Sequence, residues 1–179
     1  LIAIGGSIGG FQALEWAIEQ QLNEIYAVNR MLVLTDFSDE AANAARYAIA
    51  LAHQLEVKKI TLYHSYESVA VPATAFAPYT GGFVESPGAS LKKITELKDE
   101  LQEWLPENTE MDVRSEERNL VNAVITLSGQ EHIGLVVMGI SGKSGLERVL
   151  IGSNTISLAK DSPAPLLIVP PVASFLPIK

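Results

Sequence analysis

The chain has 179 residues, of which 47% are hydrophobic and 19% charged, with a net charge of -8 and no cysteine. Such a chain suits one well-buried domain with a small appendage, and it is too apolar to remain disordered. The acidic balance excludes nucleic acid as a partner, since no basic stripe offsets phosphate repulsion, and the missing thiols exclude disulfides, thiolate catalysis and Cys-based metal sites.

In chain order, LIAI reads as a short buried strand, GGSIGG as a turn, and residues 11–25 as a helix with Phe11, Leu14, Ala17 and Ile18 at helical spacing. No basic region precedes the first apolar stretch, and no apolar run reaches the roughly 18 residues of a membrane span, so a cytoplasmic protein is expected. LVLT then predicts a strand over 32–35. Ser38 follows as an N-cap with Asp39 and Glu40 in the positive first turn of a helix over 39–54.

KITLYH predicts a strand over 59–64. Residues 66–90 carry three prolines (Pro72, Pro78, Pro87) and three glycines (Gly81, Gly82, Gly88). They read as a long loop, which in a compact domain is more often functional than idle. A charged helix is expected over 90–104, a strand over 111–115 and a helix over 120–130. GLVVMG over 134–139 is a fully buried strand, 153–160 a helix, and PLLIVP over 165–170 a strand stopped by prolines. Strands that alternate with helices and are apolar on both faces predict an α/β fold: a five-stranded, parallel, doubly wound sheet with helices on both faces, over about residues 31–171.

Most of the glycine patterns fail on spacing. Gly142-Lys143-Ser144 resembles the end of a Walker phosphate loop, but that loop needs glycine where Val137 stands. A dinucleotide fingerprint starting at Gly5 meets Ser7 in place of its second glycine. Gly5-Gly6-Ser7-Ile8-Gly9 fits a nucleophile elbow, yet none of His53, His64 and His132 follows a matching acid on a loop. A plain glycine-rich turn explains it.

The pattern that survives is Gly139-x2-Gly142-x9-Gly152-Ser153. Gly139 ends a buried strand, so the loop leaves the carboxyl edge of a parallel sheet, where ligands bind in such folds. Glycine lets backbone approach a phosphate closely. Gly152-Ser153-Asn154 opens a helix whose free N–H groups and positive dipole end suit an anion. Lys143 and Arg148 either add charge or are simply solvated, and a turn that merely packs is the bland alternative.

Thr35-Asp36-Phe37-Ser38 after an apolar strand, His64 at the end of the second strand, MGISGKSGLERVLIGSNT and the final proline-bracketed strand together resemble the universal stress protein family, in its ATP-binding branch. The resemblance covers residues 31 to about 171. It implies a Rossmann-like adenine-nucleotide fold in which Thr35 and Asp36 approach the ribose or a metal-bound phosphate water. Ser65 would offer backbone groups to the adenine, while Met138, Gly139, Gly142, Lys143, Gly152, Ser153 and Asn154 would wrap ribose and phosphates. Leu34 stands where the family commonly has proline, and Ser65 where it has an aliphatic residue.

The implied cofactor is ATP, with or without Mg2+ or Mn2+, and the implied role is a nucleotide-dependent regulatory module in a stress response. A slow ATP hydrolase or adenylyl-transferring enzyme on the same fold, and a nucleotide-free interaction domain, remain open alternatives. VASFLPIK resembles the lead-in to another first strand, as in tandem members of the family. Residues 1–30 are then an appendage, native or artificial, and 172–179 a linker toward a second domain. The implied partner is a second copy, or that second domain, paired through the last strand.

Overall fold

Met31, Leu32, Val33 and Leu34 are all buried, as consecutive residues can be only when both faces of a strand are covered. They belong to β2 (Arg30–Leu34), the centre of a parallel sheet in a computed structural model that describes residues 2–3, 28–66, 87–140, 152–171 and 173–175. Around it stand β3 (Lys59–Tyr66), β4 (Glu110–Glu117), β5 (Leu135–Gly139) and β6 (Leu166–Val169). These five strands are parallel, as expected from their apolar runs. A two-residue strand, β1 (Ile2–Ala3), lies parallel to β6 with Ile2 opposite Leu167, so the two described residues of LIAI form a strand and join the same sheet.

The order is β1-β6-β5-β2-β3-β4. Both β3 and β5 pair with β2, in register Leu34 to Tyr63 on one side and Leu34 to Met138 on the other. The chain winds outward in both directions from β2, which leaves a crevice between β2 and β5 at their carboxyl ends.

Helices α1 (Asp39–Leu55), α2 (Pro87–Gln102), α3 (Leu120–Glu131) and α4 (Ser153–Asp161) occupy the two faces. Ala44, Ala45, Ala48 and Ala52 of α1 and Ile94 and Leu101 of α2 pack with Met31, Val33, Ile60, Leu62 and Val137 on one side. Val124 and Leu127 of α3 and Leu158 of α4 pack with Leu32, Leu34, Tyr63 and Val136 on the other. The alternation of strand side chains divides the core into these two layers.

α2 begins three residues before the expected 90, at Pro87, because proline suits a helix's first turn, where its missing N–H leaves nothing unbonded. β4 extends two residues past the expected 115, carried by pairing along the whole of β3 from Lys59–Glu110 to Tyr66–Glu117. After β6 the chain turns back over α1: Asn43 Nδ2 donates to the carbonyls of Pro170 and Ala173 at 3.4 and 3.3 Å, and Phe175 meets Tyr47 edge-on at 5.1 Å. The GGSIGG turn, the helix expected over 11–25, most of the 66–90 loop, and Gly142, Lys143 and Arg148 lie outside the described residues.

Candidate functional site

A cleft of about 200 Å³ opens at the carboxyl ends of the central strands, lined by Leu34, Thr35, Asp36, Ser38, Glu40, Ala41, Ser65, Leu120, Met138, Gly139 and Asn154. It lies at the crevice that the strand order creates. Thr35, Asp36, Ser65, Met138, Gly139 and Asn154, separated by up to 119 positions in the chain, are brought together there. Gly152 and Ser153, the exposed start of α4, immediately precede Asn154 in the chain but are not among the residues that line the cleft.

The turn after β2 is strapped by its own side chains. Thr35 Oγ1 accepts from Phe37 N at 3.0 Å, and Asp36 Oδ1 accepts from both the N and Oγ of Ser38, at 3.0 and 2.5 Å. Ser38 Oγ in turn caps α1 by accepting from Ala41 N at 3.2 Å, the role expected of it. Phe37 is held at a positive φ of 64°, uncommon for an aromatic residue, with its ring 4.4 Å from that of His64. The Thr35 carbonyl accepts from His64 Nδ1 at 2.8 Å, which ties the ends of β2 and β3 and makes Nδ1 the protonated nitrogen. His64 is buried and does not line the cleft, so it serves as a strut.

Among the described residues three helices open onto this cleft, and their first turns differ. α1 is capped by Ser38 and carries Asp39 and Glu40. α3 is capped by Asn119, whose Oδ1 accepts from Asn122 N at 3.3 Å. α4 starts at Gly152 with no side-chain cap and no acidic residue in its first turn. Its leading N–H groups and dipole are the ones left for an anion, whereas Asp36, Asp39 and Glu40 make the α1 side hostile to one.

Two glycines of the motif have different local reasons. A Cβ on Gly139 would lie 2.5 Å from the carbonyl oxygen of Glu40 and 3.0 Å from Ala41 N, so the first turn of α1 itself demands glycine there. That contact accounts for Gly139 without a phosphate. At Gly152, by contrast, a Cβ would meet nothing within 4 Å among the described residues, and φ is -67°, open to any residue. Nothing among the described residues requires glycine at 152.

Leu34, Ser38, Glu40, Ala41 and Leu120 also line the cleft and are absent from the sequence-derived set. Ser38 and Glu40 were visible as a cap and a first-turn acid, a signal that could have placed them; Leu34, Ala41 and Leu120 look like any core positions. Among the described residues no group of three or more His, Asp or Glu could hold a metal ion. No helix among them is long and apolar enough to cross a membrane.

The profile of the universal stress protein family matches residues 27–170. A universal stress protein of Methanocaldococcus jannaschii is 29% identical over 143 residues, covering 78% of this chain and 81% of that protein. Among solved structures, UspA from Lactobacillus plantarum superposes with a TM-score of 0.64 at 18% identity, covering 81% of this chain and 99% of that one. A universal stress protein in complex with cAMP gives 0.55 at 22% identity, covering 80% of this chain and 97% of that one. A family protein from Arabidopsis thaliana with AMP bound gives 0.52 at 14% identity, covering 79% and 91% respectively.

Proposed function

The chain belongs to the universal stress protein family, and we propose that its cleft binds ATP and that the chain acts as a nucleotide-dependent regulatory module in the cytoplasm. The observation that carries this reading is the start of α4. It is an uncapped, acid-free helix N-terminus on the same cleft as Asp36 and Ser65. The phosphates would sit against Gly152, Ser153 and Asn154, with Gly142 and Lys143 from the preceding loop. The freedom from steric need at Gly152 supports backbone approach as the reason for glycine there.

Asp36 would take the ribose hydroxyls, with Thr35 fixing its turn. Leu34, Met138 and Leu120 offer an apolar bed for the base beside Ser65, whose position at the end of β3 suits backbone recognition. The solved relatives that carry cAMP and AMP favour an adenine nucleotide. A divalent cation, Mg2+ or Mn2+, would arrive on the phosphates, where it screens their charge. Asp36 Oδ1 already accepts two hydrogen bonds from Ser38, which suits an orienting acceptor better than a proton-transferring base and favours holding over turnover.

We propose residues 31–171 as the functional domain, 1–30 as an appendage and 172–179 as a link toward a second domain. Pairing with a second copy, or with that second domain, through β6 would require β1 to leave that edge. The test of the nucleotide reading is direct. Mass spectrometry of small molecules released from the purified protein should find ATP or ADP, and titration of either should raise the melting temperature. Neither nucleotide in the released pool, together with no thermal shift, would refute it.

A further inference from the structure

We propose that α1 couples the cleft to the chain that follows β6: a bound nucleotide tightens Pro170, Ala173 and Phe175 onto the helix, and releasing them weakens nucleotide binding. This rests on the nucleotide reading above and adds a route by which occupancy is felt outside the cleft. Ser38, Glu40 and Ala41, at the start of α1, belong to the wall of the cleft. Asn43 follows Glu40 by three positions and Tyr47 follows Asn43 by four, so the three lie along one stripe of the helix. Beyond Glu40 that stripe holds the returning chain. Asn43 Nδ2 donates to the Pro170 and Ala173 carbonyls, which a bond from Ala173 N to Pro170 O at 3.0 Å already draws into a turn, and Phe175 meets the ring of Tyr47.

The same two places are joined a second time, through the sheet. Gly139 lies so close to the Glu40 carbonyl that a methyl group has no room between them. Gly139 is opposite Val169 in the β5–β6 register, and Ile140 N donates to the Val169 carbonyl at 3.2 Å. Pro170, the next residue, is the one that Asn43 grips. Glu40, Gly139, Val169, Pro170 and Asn43 therefore close a ring, in which Glu40 and Gly139 line the cleft and Asn43 and Pro170 hold the returning chain. A shift in the first turn of α1 has to be taken up within that ring, because close-packed backbone does not compress.

The returning chain is the part of the ring that can let go. Among the described residues it is attached by one side-chain amide shared between two carbonyls at 3.3 and 3.4 Å, and by Ala173 and Phe175 packing at the margin of the core layer. Attachments this slight open and close well below the stability of the sheet. With the chain docked, the first turn of α1 is already fixed, and with it the Ser38 hydroxyl that orients Asp36. A nucleotide then gives up less conformational freedom on binding than it does against a loose wall. Linkage makes the effect reciprocal: the factor by which docking raises nucleotide affinity is the factor by which the nucleotide favours docking.

The experiment reads both ends of the coupling. The chain has no cysteine, so Ser174→Cys puts a single thiol at an exposed position of the returning chain for a nitroxide label. Its electron paramagnetic resonance spectrum should show a larger immobilised fraction with saturating ATP than without. Phe175→Ala and Asn43→Ala, each shown folded by circular dichroism, should bind ATP about fivefold more weakly than the parent. Phe175→Tyr keeps the ring and should bind ATP as the parent does. A label spectrum that ATP leaves unchanged, or folded alanine variants with the parent's dissociation constant, overturns the coupling while leaving nucleotide binding intact. A parent that binds neither ATP nor ADP refutes both readings.

Discussion

His64 donates from Nδ1 to the carbonyl of Thr35 at 2.8 Å, joining the ends of two adjacent parallel strands just where their ladder stops. The Thr35 amide meanwhile donates to the Tyr63 carbonyl at 2.9 Å, so the last residue before Asp36 is held by β3 through both its N–H and its C=O. Asp36 is therefore presented from a fixed platform. Replacing His64 by alanine removes a buried donor, which should cost about 1–3 kcal/mol of stability and weaken ATP binding by loosening the Asp36 turn. Thermal denaturation and nucleotide titration of the variant measure the two effects. A variant as stable as the parent would show that the strut contributes nothing.

The two described motif glycines should respond oppositely to alanine. Gly139→Ala places a methyl 2.5 Å from the Glu40 carbonyl, backbone against backbone, and α1 must shift. We expect a loss of about 1–3 kcal/mol, visible in the urea midpoint. Gly152→Ala meets no atom of the described residues and should leave the midpoint within about 0.5 kcal/mol, while weakening ATP. Equal destabilisation by both would contradict the distinct roles assigned to them.

The Asp36–Ser38 pair couples the site to a helix start. Ser38→Ala removes the cap on Ala41 N and one of the two contacts that orient Asp36, leaving the one from the residue 38 backbone N–H, at a cost of about 1 kcal/mol. Asp36→Asn should leave stability closer to the parent and act mainly on nucleotide affinity. Comparing the dissociation constants of the two variants at matched temperature tells whether Asp36 acts through its own carboxylate. Undiminished binding by Asp36→Asn would remove it from the site.

Acid should weaken one identifiable contact between β3 and β4. The hydrogen bond from Lys59 to Asp112 holds that carboxyl below its ordinary value, against a smaller opposing effect of burial. The carboxylate form is thus favoured by folding, and this stabilisation is present above about pH 4 and lost as pH falls through the depressed value. The side chain of Asp112 is 41% exposed, so the contribution is under about 1 kcal/mol. Asp112→Asn should lower the urea midpoint slightly at pH 7 and flatten the decline between pH 4 and 2. An acid limb identical to the parent's would show that the pair does not matter.

Covering of the β6 edge by Ile2–Ala3 predicts a competition. Proline at both positions 2 and 3 deprives β1 of its ladder donors. The variant should then self-associate more strongly than the parent, read as a concentration-dependent rise in mass by light scattering. A variant that stays at the parent's mass across the micromolar range would show that β6 is not a pairing edge.

Much was written locally. The apolar runs LVLT, KITLYH, GLVVMG and PLLIVP could be satisfied only as buried parallel strands, and Ser38 announced the start of α1, because caps and burial depend on neighbours in the chain. The family resemblance likewise rested on contiguous motifs, and from it came Asp36 and Ser65 as residues of one site. What the chain could not state by itself was distance across the sheet. That the first turn of α1 presses on Gly139, that α4 is the one of the three described helix starts at the cleft without a side-chain cap, and that Glu116 stands beside Ser65 all depend on strand order and register. Those are set by packing between segments far apart in sequence, where the pleat decides which side chains share a face.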